Sequence, residues 1–164
     1  MLILSGAPAV SDFRLAKLLA AIRDRVDHVT RLDSRYQHFV DLDRELEPAE
    51  RSVLDSLLHY GPTAPETVPE GQMVLVVPRF GTTSPWSSKA TDIAHVCGLA
   101  SVRRVERGIA YFVRSERGLA PDEWSAVGAV LHDRMTESVL REPGEAGALF
   151  SHAAPKPLVT VPLL

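Results

Sequence analysis

The sequence predicts an α+β domain in which a β-α-β-α unit is used twice, giving an antiparallel-rich sheet packed by helices. Three observations predict it. Apolar residues alternate between strand-like and helix-like spacing along the chain. Serine and proline recur at the starts of the helical segments. The chain also matches itself: a shift of 73 positions gives 13 identities over the 49 ungapped positions from 11–59 to 84–132, where ordinary residue usage would give about 3. The matches include Ser11/Ser84, Val29/Val102, Arg31/Arg104, Phe39-Val40/Phe112-Val113, Arg44/Arg117, Pro48/Pro121, Glu50/Glu123 and Leu58-His59/Leu131-His132. Helix and strand grammar explains the caps and the apolar periodicity. It explains the paired arginines and histidines less well, so the repeat is read as a duplication whose copies meet about a pseudo-twofold axis.

The elements follow in order. Leu2 to Leu4 is a short strand closed by the turn around Gly6 and Pro8. Ser11 caps a helix whose Leu15, Leu18, Leu19, Ile22 and Val26 recur at helical spacing. Val29 to Leu42 is a strand with Tyr36, His38 and Val40 on one face and Phe39 on the other. Pro48 opens a helix with Val53, Leu54, Leu57 and Leu58 inward, ended by Gly61-Pro62. A Pro-rich connector, 62–71, separates repeats at about 1–61 and 72–141. Met73 to Val77 is a buried strand. Ser84 caps a helix with Pro85 at its first position and Gly98 at its end. Val102 to Val113 is the mate of the earlier long strand. Pro121 opens a fourth helix with Trp124, Val127, Leu131 and Met135 inward. Residues 142–164 read as an irregular tail with a final short strand at Leu158 to Val161.

Composition bounds function. Of the 164 residues, 45% are hydrophobic and 24% charged, and the formal net charge is −3. That is a globular profile with no bulk pull toward nucleic acid or a membrane surface. With one cysteine, Cys97, no internal disulfide is possible, and a reducing, cytoplasmic setting is expected. The start lacks the basic and apolar regions of a signal peptide. None of the six histidines has another at i+3 or i+4, so no helical metal pair is expected. Cys97 is expected to be a small buried residue at a helix end. The segment 131–138, LHDRMTES, is expected to be helical and to place His132, Asp133, Arg134 and Glu137 on a solvated or interface face. No nucleotide-loop, nucleophile-elbow or zinc-protease motif occurs, and no catalytic residue is assigned.

The copies differ most in 79–95, RFGTTSPWSSKATDIAH. Where the first copy has Leu15, Ala16, Leu18 and Leu19, the second has Ser88, Lys89, Thr91 and Asp92. Giving up large apolar side chains costs burial, roughly 1.5–3 kcal/mol each, so another contact should offset it. Arg79, Ser84, Trp86, Ser87, Ser88, Lys89, Thr91 and Asp92 are the candidate contact residues. A helix N-terminus offers free N–H groups and partial positive charge. Three readings stay open: an elaborate cap, a phosphate or acidic-ligand site, and a polar contact with another domain.

RFGTTSPWSSKATDIAHVCGL, VRRVERGIAYFV, LHDRMTESVL, LFSHAAPKPLVTVPLL, ILSGAPAVSDFRLAKLLA and YQHFVDLD together resemble the N-terminal region of the large single-chain phosphoribosylformylglycinamidine synthases (PurL, FGAM synthetase). The resemblance spans essentially the whole chain. It implies one domain of a longer enzyme of de novo purine synthesis, which converts formylglycinamide ribonucleotide, glutamine and ATP to formylglycinamidine ribonucleotide, glutamate, ADP and phosphate. It implies a fold similar to a dimer of the small PurS subunit. The implied role is assembly between synthetase and glutaminase domains and support of the ammonia route, without catalysis by this domain alone. ATP and magnesium are implied for the full enzyme, with no cofactor bound here, and an isolated domain is expected to self-associate. The glutaminase nucleophile has no match at Cys97. Phe80, Thr83 and Val96 depart from the family's usual proline, isoleucine and asparagine.

Overall fold

A computed structural model describes residues 1–151 except 64 and 66. Its elements are β1 (Leu2–Ser5), α1 (Asp12–Arg23), β2 (Val29–Leu42), α2 (Pro48–Leu58), β3 (Gln72–Pro78), α3 (Pro85–Val96), β4 (Val102–Ser115), α4 (Pro121–Leu131), β5 (Glu137–Leu140) and a 3-10 helix, η1 (Pro143–Phe150). The strands form one antiparallel sheet in the order β1-β2-β4-β3-β5. The two long strands lie side by side at its centre, so the duplicated units are joined through their β2 and β4 edges.

The register carries the symmetry. Tyr36 pairs with Ile109, its own counterpart 73 positions on, and the pairs Asp33–Phe112 and Phe39–Glu106 exchange under the same shift. The pseudo-twofold axis therefore passes the Tyr36–Ile109 pair. The sequence prediction of an α+β fold from a duplicated β-α-β-α unit is borne out.

All four α-helices cover one face. Ile22, Val26, Val74, Tyr111, Val113, Val127 and Leu131 pack beneath α1 and α4. Val40, Leu54, Ala94, Leu99, Val102 and Val105 pack beneath α2 and α3. Each copy's first helix thus shares a core with the other copy's second helix, which is why neither copy could bury its apolar surface alone. On the opposite face Phe39, Leu75, Ala110 and Phe112 are covered by Leu140 and by Ala146 and Leu149 of η1. Val40 and Phe39 face opposite sides, as the alternation predicts.

Capping chemistry is preserved between copies. Ser11 accepts the Arg14 N–H, and Ser84 accepts the Ser87 N–H. Glu50 accepts the Glu47 N–H and binds Arg44, and Glu123 accepts the Ala120 N–H and binds Arg117. The arginine hydrogen bond, then the backbone N–H, hold each carboxylate down at about 2. The C-terminal glycine after α3, Gly98, has φ +85° as a left-handed cap requires.

The structure corrects several expectations. α4 ends at Leu131, and 132–136 form a turn into β5 rather than more helix. His132 turns its Nδ1 onto the Gly128 carbonyl, Asp133 Oδ1 accepts the Met135 N–H, and Glu137 accepts the Asp133 N–H. These local bonds compete with helix continuation, and Met135 is left exposed instead of facing inward. Residues 143–150 are not irregular, because η1 seals the sheet's second face. Cys97 is exposed rather than buried, because as the C-cap residue of α3 it lies past the last inward turn. α2 ends at Leu58 with His59 as its cap, before Gly61, and its Val53 is exposed rather than inward. The expected strand at 158–161 lies outside the described residues. Among the described residues, no helix is long and apolar enough to cross a membrane.

Candidate interface segment and binding cleft

The segment 79–92 is built around an open strand edge. β3 pairs with β4 only from Val113 to Ile109, so among the described residues the first half of β4 has no strand beside it on that side. Segment 79–92 lies against this edge. The Val105 carbonyl accepts from Ser87 Oγ at 2.6 Å, and the Val105 N–H donates to Thr91 Oγ1 at 3.0 Å. Ser87 and Thr91 are one helical turn apart, so one face of α3 presents two hydroxyls to one residue of the edge. An unpaired strand edge buried against a helix would cost about 1–3 kcal/mol per group. The hydroxyls remove that cost. This is the contact that offsets the loss of a leucine at Thr91.

A second network lies beside it. Ser84, the cap of α3, donates to Glu106 at 2.6 Å, and Glu106 is wholly buried. Arg104 meets Glu106 at 2.6 Å and spends its other donors on Ser87 Oγ and on the Thr82 and Leu149 carbonyls. A buried carboxylate is tolerable only when its oxygens are bonded in this way. The carboxylate next to the N-cap of α3 is therefore the chain's own Glu106.

The remaining candidates divide by exposure. Ser88, Lys89 and Asp92 are on the surface, Trp86 and Thr91 are half-buried, and Ser87 is buried. Arg79 is exposed, donating to Met135 O while its N–H binds Thr136 O. Asp133 and Arg134 are exposed, whereas His132 and Glu137 are half-buried and occupied within the turn. The structure thus brings Arg79 and Glu137 to one place and leaves Lys89 and Asp92 on the outer side of α3.

That place is a cleft of about 580 Å³ running between β3, the 79–86 loop and the 135–137 turn, with Tyr36, Arg107 and Ile109 in its wall. The Arg107 guanidinium lies 4.2 Å from the Tyr36 ring centre and 4.6 Å from that of Trp86. Its Nη1 donates to the Tyr60 hydroxyl at 3.1 Å, and Tyr60 meets His38 Nε2 at 2.6 Å. Burial, then the nearby Arg107 charge, lower His38 to about 4. His38 is therefore neutral at neutral pH, so Tyr60 O–H donates to Nε2 and the Tyr60 oxygen accepts from Arg107. Burial raises the Tyr60 hydroxyl, which stays protonated to donate.

Sequence reasoning missed Arg107, Tyr36, Tyr60, His38 and Glu106 as members of these networks. Two signals were present. Glu106 and Arg104 align with Asp33 and Arg31 in the repeat, and Arg107 stands where the first copy has Ser34. Tyr60 follows the last aligned histidine and carries no such signal.

The family model for the formylglycinamide ribonucleotide amidotransferase N-terminal domain matches residues 35–150. The match runs from within β2 through the end of η1. It takes in the second half of β2, all of β4, the cleft and the whole 79–92 segment, and the chain therefore belongs to the family of N-terminal domains of formylglycinamide ribonucleotide amidotransferase.

Proposed function

We propose that this domain is the assembly element of its amidotransferase, docking through the outer side of α3 on the synthetase part and helping to form the route that carries ammonia from the glutaminase part. One observation carries the reading. In α3 the inward hydroxyls are used by the β4 edge, but Ser88, Lys89 and Asp92 point outward beside exposed Ile93 and Val96. A mixed polar and apolar helix face with no partner among the described residues has the composition of a domain interface.

On this reading the reaction is the ATP-dependent conversion of formylglycinamide ribonucleotide and glutamine to formylglycinamidine ribonucleotide and glutamate, a step of purine biosynthesis in the cytoplasm. The domain supplies no reacting group. ATP and magnesium would belong to the synthetase part. The Arg79 loop and the 132–137 turn form a second candidate contact. In the enzyme carrying this domain, Lys89→Ala combined with Ser88→Ala should lower glutamine-dependent activity while leaving ammonia-dependent activity and glutaminase activity in place. Unchanged glutamine-dependent turnover would reject the docking assignment. The isolated domain should self-associate through the uncovered face, and a strictly monomeric sedimentation profile at high concentration would count against it.

A further inference from the structure

Arg107 lies in the cleft wall with no counter-ion among the described residues. Among the described residues no carboxylate pairs with it, and only Nη1 has an acceptor, so Nε and Nη2 have none. The Tyr36, Trp86 and Tyr60 rings all pack against its guanidinium, and Tyr60 is fixed by His38. A guanidinium packed against three rings and bonded to one of them has less side-chain freedom to lose when a ligand arrives. What it still presents is an edge, Nε and Nη2, with the spacing of two oxyanion oxygens.

The surroundings favour an oxyanion with an apolar body. The cleft is also lined by Arg79, likewise without a carboxylate partner among the described residues, and by Thr82, Thr83 and Thr136. Its other walls are apolar, with Val76, Ile109 and Pro85. At about 580 Å³ it is large for a bare phosphate and lies within the range of small-metabolite sites. Glu137 is the one carboxylate in its lining among the described residues, and it is engaged by the Asp133 N–H.

The duplication argues that these charges are a specific addition. At the positions of Arg107 and Arg79 the first copy has Ser34 and Gly6. A side chain at Gly6 would run into His38, with a Cβ only 2.7 Å from the ring. Only the second copy can carry both arginines, and the Tyr36 and Tyr60 that bracket one of them come from the first.

We infer that the cleft beside the pseudo-twofold axis is a binding site for a small oxyanion-bearing metabolite, with its phosphate or carboxylate head on the Nε–Nη2 edge of Arg107 and an apolar body against Val76, Ile109 and Pro85. This site is distinct from the outer side of α3, shares the Arg79 loop and the 132–137 turn with the second candidate contact, and does not rest on docking through α3.

The test follows the two tryptophan indole N–H signals by NMR in the domain. Trp86 touches Arg107, whereas Trp124 lies on the other half of the helical layer with its N–H on Met73 O, and serves as the internal control. Phenyl phosphate and benzoate are titrated separately, with sodium chloride at matched ionic strength. The expected result is a saturable shift of the Trp86 signal with at least one of the two, an unmoved Trp124, and binding about tenfold weaker or more in Arg107→Gln. Tighter phenyl phosphate assigns a phosphate head, and tighter benzoate a carboxylate. If Arg107→Gln does not fold, Arg107→Lys decides, because it keeps the charge but loses the two-point edge. A Trp86 signal that moves no more than with chloride, or equally in the folded variant, overturns the inference.

Discussion

The two copies of the repeat share a backbone and have been put to different chemistry. In the first, Arg31 and Asp33 form an ion pair at the surface; in the second, Arg104 and Glu106 form the same pair inside the protein. In the first, Leu18 of α1 joins the core; in the second, Thr91 takes its place and closes a strand edge. In the first, the carbonyl of Val29 is capped by Arg23; in the second, that of Val102 is capped by His95. The need for a cap or a pair recurs because the backbone recurs. The residue that meets it changes with what lies next to the strand.

The buried pair offers the strongest way to break this comparison. Glu106→Gln should leave Arg104 charged and short of its partner in a dry site, costing about 3–5 kcal/mol. Asp33→Asn should leave the urea midpoint almost unmoved, because its pair is open to solvent. Equal midpoint shifts for the two variants would remove the asymmetry.

Next comes the pH dependence of His38, whose counterpart is Tyr111. Its folded value of about 4 lies below its ordinary 6.5, so the unfolded chain binds the proton more readily. Its contribution is fully present above about pH 6.5 and is lost as pH falls toward 4, by up to roughly 3 kcal/mol. Urea unfolding from pH 7 to 4 should show this slope, and His38→Gln should flatten it. A slope unchanged by that substitution would place the titrating group elsewhere.

A smaller effect is expected at the edge of β4. Thr91→Val keeps the shape but leaves the Val105 N–H without an acceptor, at about 1–3 kcal/mol, and Thr91→Ser should restore most of it. Thermal unfolding of the three proteins checks this. Rescue by valine as good as by serine would mean that the position is simply packing.

The smallest difference is expected where the copies agree. Glu50 and Glu123 are both held at about 2 against an ordinary 4.5. Each adds stability above pH 4.5 that disappears as pH falls toward 2. Glu50→Gln and Glu123→Gln should flatten the acid limb by similar amounts in parallel acid titrations. A large inequality would show that these matched capping pairs are not equivalent.

Much of the fold was legible in the chain because its signals are local. Ser11, Pro48, Ser84 and Pro121 mark helix starts by a chemistry that needs only the next three residues. The alternation through Tyr36 to Val40 marks a strand with two faces. Legibility failed where a local pattern had a non-local competitor. LHDRMTES has helical spacing, but side-chain bonds from His132, Asp133 and Glu137 end the helix, and β5 then pairs with β3. REPGEAGALF looks irregular until Ala146 and Leu149 find the apolar face left open beside Phe39 and Leu75.

The candidate site divides along the same line. The sequence by itself determined the duplication, the α+β class, the helix caps, and that the second copy had exchanged leucines for hydroxyls and charges. These follow from residue type and short-range spacing. Tertiary structure alone decided what the exchange was for. Ser87 and Thr91 meet Val105, Glu106 meets Ser84 and Arg104, and Tyr36, Tyr60 and Trp86 gather round Arg107. The physical reason is distance along the chain: Tyr36 and Tyr60 reach Arg107 only because two strands of different copies pair in one register, and no window of neighbouring residues contains that pairing.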